Sequence, residues 1–259
     1  MKKILCYSSC LVFLLISCSE EKKKINETVM DVPIVDSVLS DVEEKKPQVS
    51  FFQYEDAPEY PDAILELFTP LGNQVFAPGK VPFEFNIKNY PFEDSDSRDF
   101  KLFNILNGGD PVGHYAPIFQ QELAEGSYRL VAYLVDEDGL ALKNFGNYVD
   151  RDFQVGDSRP FPYSAEPYLA LNYPRNLQRY EGGEDIVVDF LVLGGDMKLD
   201  GLNVKVGVGN LTYEVDHMSP IIISNLSPGE YNLQVSLERK SGKALEGPFS
   251  QVNKTIIVE

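Results

Sequence analysis

The chain has 259 residues, 43% of them hydrophobic, a formal charge of −17, two histidines, three cysteines and no Trp. That length allows one large domain or two ordinary ones with real cores, and so acidic a surface excludes nucleic acid and anionic lipid as favoured partners. Cys6, Cys10 and Cys18 are the only cysteines, so the rest of the chain must fold on its apolar core without disulfides.

Met1, Lys2 and Lys3 form a basic start, and the apolar run from Ile4 to Ile16 is too short to span a bilayer. Leu15-Ile16-Ser17-Cys18 follows, and this resembles the lipobox of bacterial lipoproteins. The resemblance implies that residues 1–17 are a signal peptide and that Cys18 is acylated as the mature N-terminus. The membrane is then a partner through lipid, in the cell envelope at the outer membrane. Anchoring by acyl chains gains about 0.8 kcal/mol per buried CH₂. Ser19-Glu20-Glu21 resembles a surface-export signal of some Gram-negative lipoproteins, which leaves the surface and the periplasmic face both open.

Residues 18–60 read as a flexible tether. Charge runs such as EEKKK and VEEKK alternate with small polar residues, and no helical or strand period persists. Asp36-Ser37-Val38 within it resembles a short O-glycosylation sequon, with Ser37 as the acceptor. From Ile64 the pattern becomes short alternating segments, including ILELF, VPFEFNI, FKLFNI and YRLVAYLV, separated by turn signals such as PLGN, APGK, NGGDP and DEDG. This spacing predicts an all-β sandwich.

The set then repeats. Asn107 to Val155 aligns without a gap to a copy displaced by 103 residues, with 15 of 49 positions identical. His114 and His217, the only histidines, are one such pair, each in H-x-x-P-I. Each copy also carries L-x-x-G-x-Y, as Leu123–Gly126–Tyr128 and Leu226–Gly229–Tyr231. Here the chain resembles immunoglobulin-like and fibronectin type III-like modules, in which a Tyr hydroxyl bonds back across the corner between strands E and F. The resemblance covers residues 63–155 and 167–259. It implies two tandem immunoglobulin-like β-sandwiches, with Gly126 and Gly229 at corners that favour a positive φ. Residues 156–166 form a Pro- and aromatic-containing linker, whose Phe161 and Tyr163 are expected between the modules. The expected outcome is a stiff rod with the E–F corner of the second module, near Ser227 and Glu259, as the distal tip.

Chemistry is sparse. One His per module supplies too few ligands for a metal site, and the bland reading of the pair is a side chain inherited with the duplication. Asp94, Asp96 and Asp99 in the B–C loop, and Asp136 and Asp138 in the F–G loop, share one end of the first module. Calcium takes six to eight such oxygens, so these five residues are the candidate metal ligands. No other cofactor is expected. No G-x-S-x-G and no cysteine nucleophile occurs in the folded part, and the chain is read as a non-enzyme. The expected function is a lipid-anchored envelope protein that presents its modules for protein–protein interaction or adhesion. The alternatives are a glycan-binding surface lipoprotein, with Tyr90, Tyr115, Tyr148, Tyr173 and Tyr180 available for stacking, and a calcium-stabilised spacer.

Overall fold

The structure is a computed structural model that describes residues 48–54, 59–92, 99–243 and 245–259. The expected signal peptide, Cys18, Ser37 and the expected tether up to residue 47 lie outside the described residues. Every regular element among the described residues is a β-strand.

The first module contains β2 (Ile64–Thr69), β3 (Val75–Phe76), β4 (Gly79–Lys88), β5 (Leu102–Leu106), β6 (Val112–His114), β7 (Ile118–Leu123), β8 (Gly126–Leu134) and β9 (Tyr148–Val155). They form two sheets, β2-β4-β7 and β3-β9-β8-β5-β6. The second module repeats the plan with β10 (Tyr168–Tyr173), β11 (Gln178–Tyr180), β12 (Ile186–Leu193), β13 (Leu202–Val208), β14 (Leu211–Val215), β15 (Ile221–Ser224), β16 (Gly229–Arg239) and β17 (Gln251–Val258). Its larger sheet has the order β11-β17-β16-β13-β14. In both copies β3 and β11 pair parallel to the final strand, while the other ladders are antiparallel. This is the strand order of tandem immunoglobulin-like sandwiches. Each module has its own core, around Phe83, Phe85 and Phe153 in the first and Phe190, Val206 and Val235 in the second.

The smaller sheet of the second module departs from the repeat. It has four strands, β1-β15-β12-β10, and β1 (Ser50–Gln53) comes from residues expected to be tether. β1 pairs antiparallel with β15, from Ser50 opposite Ser224 to Gln53 opposite Ile221. It occupies the place beside strand E that strand D takes in other sandwiches of this class. Phe51 packs against the second core and stacks on Tyr213 with ring centroids 5.5 Å apart. Beyond it, the Tyr54 N–H donates to the Pro220 carbonyl at 2.9 Å, and the Ser219 hydroxyl donates to the Tyr54 carbonyl at 2.6 Å. The expected tether boundary at residue 60 is therefore corrected. Ser-Phe-Phe-Gln is too short to show a strand period by itself, and only the open edge of β15 gives it one.

The modules do not continue end to end. A third apolar cluster lies between them, with Phe103, Ile105, Val131, Tyr133 and Val135 of the first module against Tyr168, Ala170, Leu191, Leu193 and Phe249 of the second. The split within each strand has period two. Along β8, Leu130, Ala132 and Leu134 enter the first core, while Val131 and Tyr133 enter the shared one. Along β12, Phe190 and Val192 face inward, and Leu191 and Leu193 face the neighbour. Strands buried on both faces need apolar residues at successive positions, which is what YRLVAYLV and DFLVL supply.

The direction of packing overturns the rod. Arg129, near the start of β8, lies 4.7 Å over the Tyr168 ring at the start of β10, and the Tyr133 hydroxyl near the end of β8 reaches Asn172 near the end of β10. β10 thus runs beside β8 in the same direction, so the second module folds back along the first. Burial of the two-faced strands outweighs any stiffness of the linker prolines. Phe161 packs at this interface, but Tyr163 is 94% exposed, contrary to expectation.

Candidate interaction site

The interface is built around a buried carboxylate. Asp189 on β12 is fully buried. Its Oδ2 accepts from the Ala141 N–H and from Asn172 Nδ2, both at 2.8 Å, and its Oδ1 accepts from Lys143 Nζ. Asn172 Nδ2 also donates to the Gly139 carbonyl at 2.8 Å, and Asn172 Oδ1 accepts from the Tyr133 hydroxyl at 2.8 Å. Burial pushes the Tyr133 hydroxyl well above its ordinary pKa, with the Asp189 charge adding to the effect, so it remains a donor. The F–G loop of the first module is thus fastened to two strands of the second.

Two further polar contacts flank the apolar cluster. Lys254 Nζ on β17 donates to Asp110 Oδ1 at 2.6 Å, and the Asn176 N–H donates to the same oxygen at 3.0 Å. Arg129 forms a bidentate pair with Asp152, at 2.7 Å for both bonds, and its guanidinium lies over the rings of Tyr168, Phe249 and Phe161. The bonds to Asp152 hold the guanidinium above its ordinary pKa against the opposing effect of burial. A charged fork held among rings adds cation–π attraction to the ion pair.

The other outward sheet faces carry polar pairs among exposed apolar side chains such as Ile64, Phe68 and Ile118. On the first module's smaller sheet, Glu66 accepts from Asn86 at 2.7 Å and from Lys88 at 2.9 Å. The larger sheet of the second module carries Lys205 near Glu214 at 3.9 Å.

The corner residues have matching geometry. The Tyr128 hydroxyl donates to the Ala124 carbonyl at 2.9 Å, and the Tyr231 hydroxyl donates to the Ser227 carbonyl at 2.8 Å. Of the two corner glycines only Gly229 has a positive φ, at 156°. At Gly126 the expected positive φ is absent, and a Cβ would sit in ordinary contact with the Tyr128 ring, 3.5 Å away.

His114 ends β6, whereas His217 lies in the connection between β14 and β15, and their surroundings differ. His114 stacks on Phe119 with centroids 3.4 Å apart, and its Nε2 is 2.6 Å from Asn104 Oδ1. His217 is exposed and its Nδ1 lies 3.2 Å from Asp216 Oδ1. β7, which carries Phe119, and β15, which carries Ile221, hold the same place in their sheets, beside β4 and β12. In the first module the imidazole closes that edge, and in the second β1 does. Burial lowers the His114 pKa to about 4 from 6.5. Between those values the unfolded chain binds a proton that the folded chain does not. Stability from His114 is complete above pH 6.5 and is lost as pH falls toward 4. Thermal unfolding from pH 7 to pH 4 is therefore expected to show a steeper loss of Tm for the parent than for His114→Gln, and parallel curves would contradict the assignment.

Of the candidate calcium ligands, Asp94 and Asp96 lie outside the described residues. Asp99 and Asp136 both line a cleft of about 390 Å³ at the B–C/F–G end, together with Tyr60, Tyr90 and Phe100. Asp136 Oδ1 accepts from the N–H groups of Asp138 and Leu140, at 3.0 and 2.8 Å, which shapes the F–G turn. Among the described residues no group of three or more His, Cys, Asp or Glu side chains is placed to hold a metal. Among the tyrosines named for stacking, Tyr180 is buried, Tyr90 donates to the Val135 carbonyl at 2.5 Å, and Tyr115 is 66% exposed but lies against Phe100. The interface network was missed from sequence, although its signal was present: successive apolar residues interrupted by a lone Asp in VVDFLVL.

The chain matches no family model and no curated protein. Among solved structures it is similar to the fibronectin(III)-like modules of CbhA from Clostridium thermocellum, at 14% identity over 76% of this chain and 94% of that one, with a TM-score of 0.30. The three N-terminal domains of the outer capsid protein Hoc from bacteriophage RB49 match at 11% identity over 76% of this chain and 70% of that one, with a TM-score of 0.23. The insect immune protein hemolin matches at 14% identity over 75% of this chain and 46% of its own, also with a TM-score of 0.23.

Proposed function

We propose that this chain is a non-enzymatic, lipid-anchored protein of the cell envelope whose two modules act as one preassembled interaction unit. The observation that carries the reading is the shared core with Asp189 at its edge, which joins the modules through buried apolar and polar contacts. Pre-fixed modules present a composite surface without losing relative freedom on binding, and so favour recognition. The anchor rests on Cys18 in its lipobox-like setting.

Asn225 Nδ2 donates to the Gln48 carbonyl at 3.4 Å, beside the E–F corner of the second module.

Cell fractionation tests the reading. The parent protein is expected in the membrane fraction with metabolically incorporated palmitate, and Cys18→Ala is expected in the soluble fraction without label. A Cys18→Ala protein that stays in the membrane would remove the anchor. In-cell crosslinking is expected to recover one stoichiometric envelope protein with the parent, and failure to recover any would count against the interaction role.

A further inference from the structure

The segment that joins the modules is an arch with fixed ends. At its start the Ser158 hydroxyl donates to the Gly126 carbonyl at 2.8 Å, and Phe161 lies edge-on to Phe249 with centroids 5.7 Å apart. At its end Arg239 Nη2 donates to both oxygens of Glu166, at 3.1 and 3.0 Å. Pro160 and Pro162 restrict the backbone between them. Tyr163 lies in the middle and turns 94% of its surface to solvent. Between this arch and β9 is an open cleft of about 750 Å³, and Tyr163, Asp150, Arg151 and Asn73 are among its walls. We propose that the cleft binds a neutral glycan, with one sugar ring stacked on Tyr163 and its hydroxyls bonded to Arg151 and Asp150.

The charges of the lining decide against an ionic ligand. Two guanidinium groups, Arg129 and Arg151, meet two carboxylates, Asp150 and Asp152, so the cleft has no net charge to select an anion or a cation. Arg129 and Asp152 satisfy each other through two bonds of 2.7 Å. The other two keep bonding capacity. Arg151 Nε is buried with no hydrogen-bond partner among the described residues. Asp150 accepts from the Tyr168 hydroxyl at 2.8 Å through Oδ2, which leaves Oδ1 for a ligand. A buried donor without a partner carries a desolvation cost until a ligand meets it. A hydroxyl group both donates and accepts, so a sugar with adjacent hydroxyls can serve the guanidinium and the carboxylate together.

The aromatic wall supplies what the polar wall lacks. A sugar ring has an apolar C–H face bounded by hydroxyls, and a tyrosine ring offers an apolar body with a polar tip. The prolines hold that ring at the cleft without the entropy cost of ordering a loose loop on binding. A cleft of this size lies in the range of small-molecule sites, and its open form lets a polymer pass through. The site involves neither the lipid anchor nor a protein partner, so it stands or falls apart from them.

Native affinity electrophoresis of the full chain in mild detergent tests it. The gels contain amylose, β-glucan, xylan, galactomannan or arabinogalactan, with alginate and polygalacturonate as acidic counterparts. At least one neutral polymer should retard the parent. Titration calorimetry with an oligosaccharide of that polymer should then show Tyr163→Ala about tenfold weaker. Its Tm should be unchanged, because the ring is exposed. Arg151→Met keeps the apolar stem and should also bind about tenfold more weakly. Phe145→Ala removes a ring that is 98% exposed away from the cleft, and it should bind as the parent does. Free migration of the parent in every gel, retardation by the acidic polymers alone, or parental affinity in Tyr163→Ala would overturn the proposal.

Discussion

Asp189→Ala is expected to lower stability by about 3–5 kcal/mol, the cost of breaking a buried charge pair by removing one partner. The loss falls on groups that cannot reach water easily. The Ala141 N–H and the Asn172 amide each lose an acceptor, and the Lys143 ammonium, whose side chain is 18% exposed, loses its counter-charge. Asn172 would keep its bonds to Gly139 and Tyr133, so the network frays from the Asp189 side. Asp189→Asn retains one acceptor and should cost less. Because these contacts join the modules, scanning calorimetry should change shape as well as position. The parent is expected to unfold in one transition, and Asp189→Ala in two resolved ones as the modules uncouple. A single transition at the parental Tm would show that Asp189 does not hold the interface.

Deleting residues 48–54 is expected to have the second-largest effect. The loss includes the β1–β15 ladder, the Tyr54–Pro220 bond and the cover that Phe51 gives to the second core. Large-to-small losses of a partly buried aromatic and its strand pairing amount to about 2–4 kcal/mol. The deletion also bares the edge of Ile-Ile-Ile-Ser, an apolar strand without a protecting charge, which should promote association. Urea unfolding should show a lower midpoint, and light scattering should rise with concentration. Phe51→Ala keeps the backbone cover, so it should reproduce part of the stability loss without the association. A deletion variant with parental midpoint and no scattering would mean that β1 is dispensable to the fold.

The fold class was largely legible in the sequence, because its signals are local. Alternation of apolar residues sets two faces per strand, and the corner pattern L-x-x-G-x-Y recurs at an interval of 103 residues. The histidine pair was visible as a pair, but the difference between its members was not. His114 is stacked and half-buried at an edge to which no strand among the described residues is added, and His217 is exposed beside an edge that β1 already covers.

What the sequence alone determined was the repeated all-β unit, since strand period and turn residues act over a few positions. Tertiary structure decided the partners of each face and edge: that Ser50–Gln53 becomes a strand, that the modules fold together instead of extending, and that Asp189 is shielded from water. Those outcomes depend on contacts between residues far apart in the chain. A four-residue segment or a single Asp in an apolar run acquires its energetic role only when a distant surface removes it from solvent.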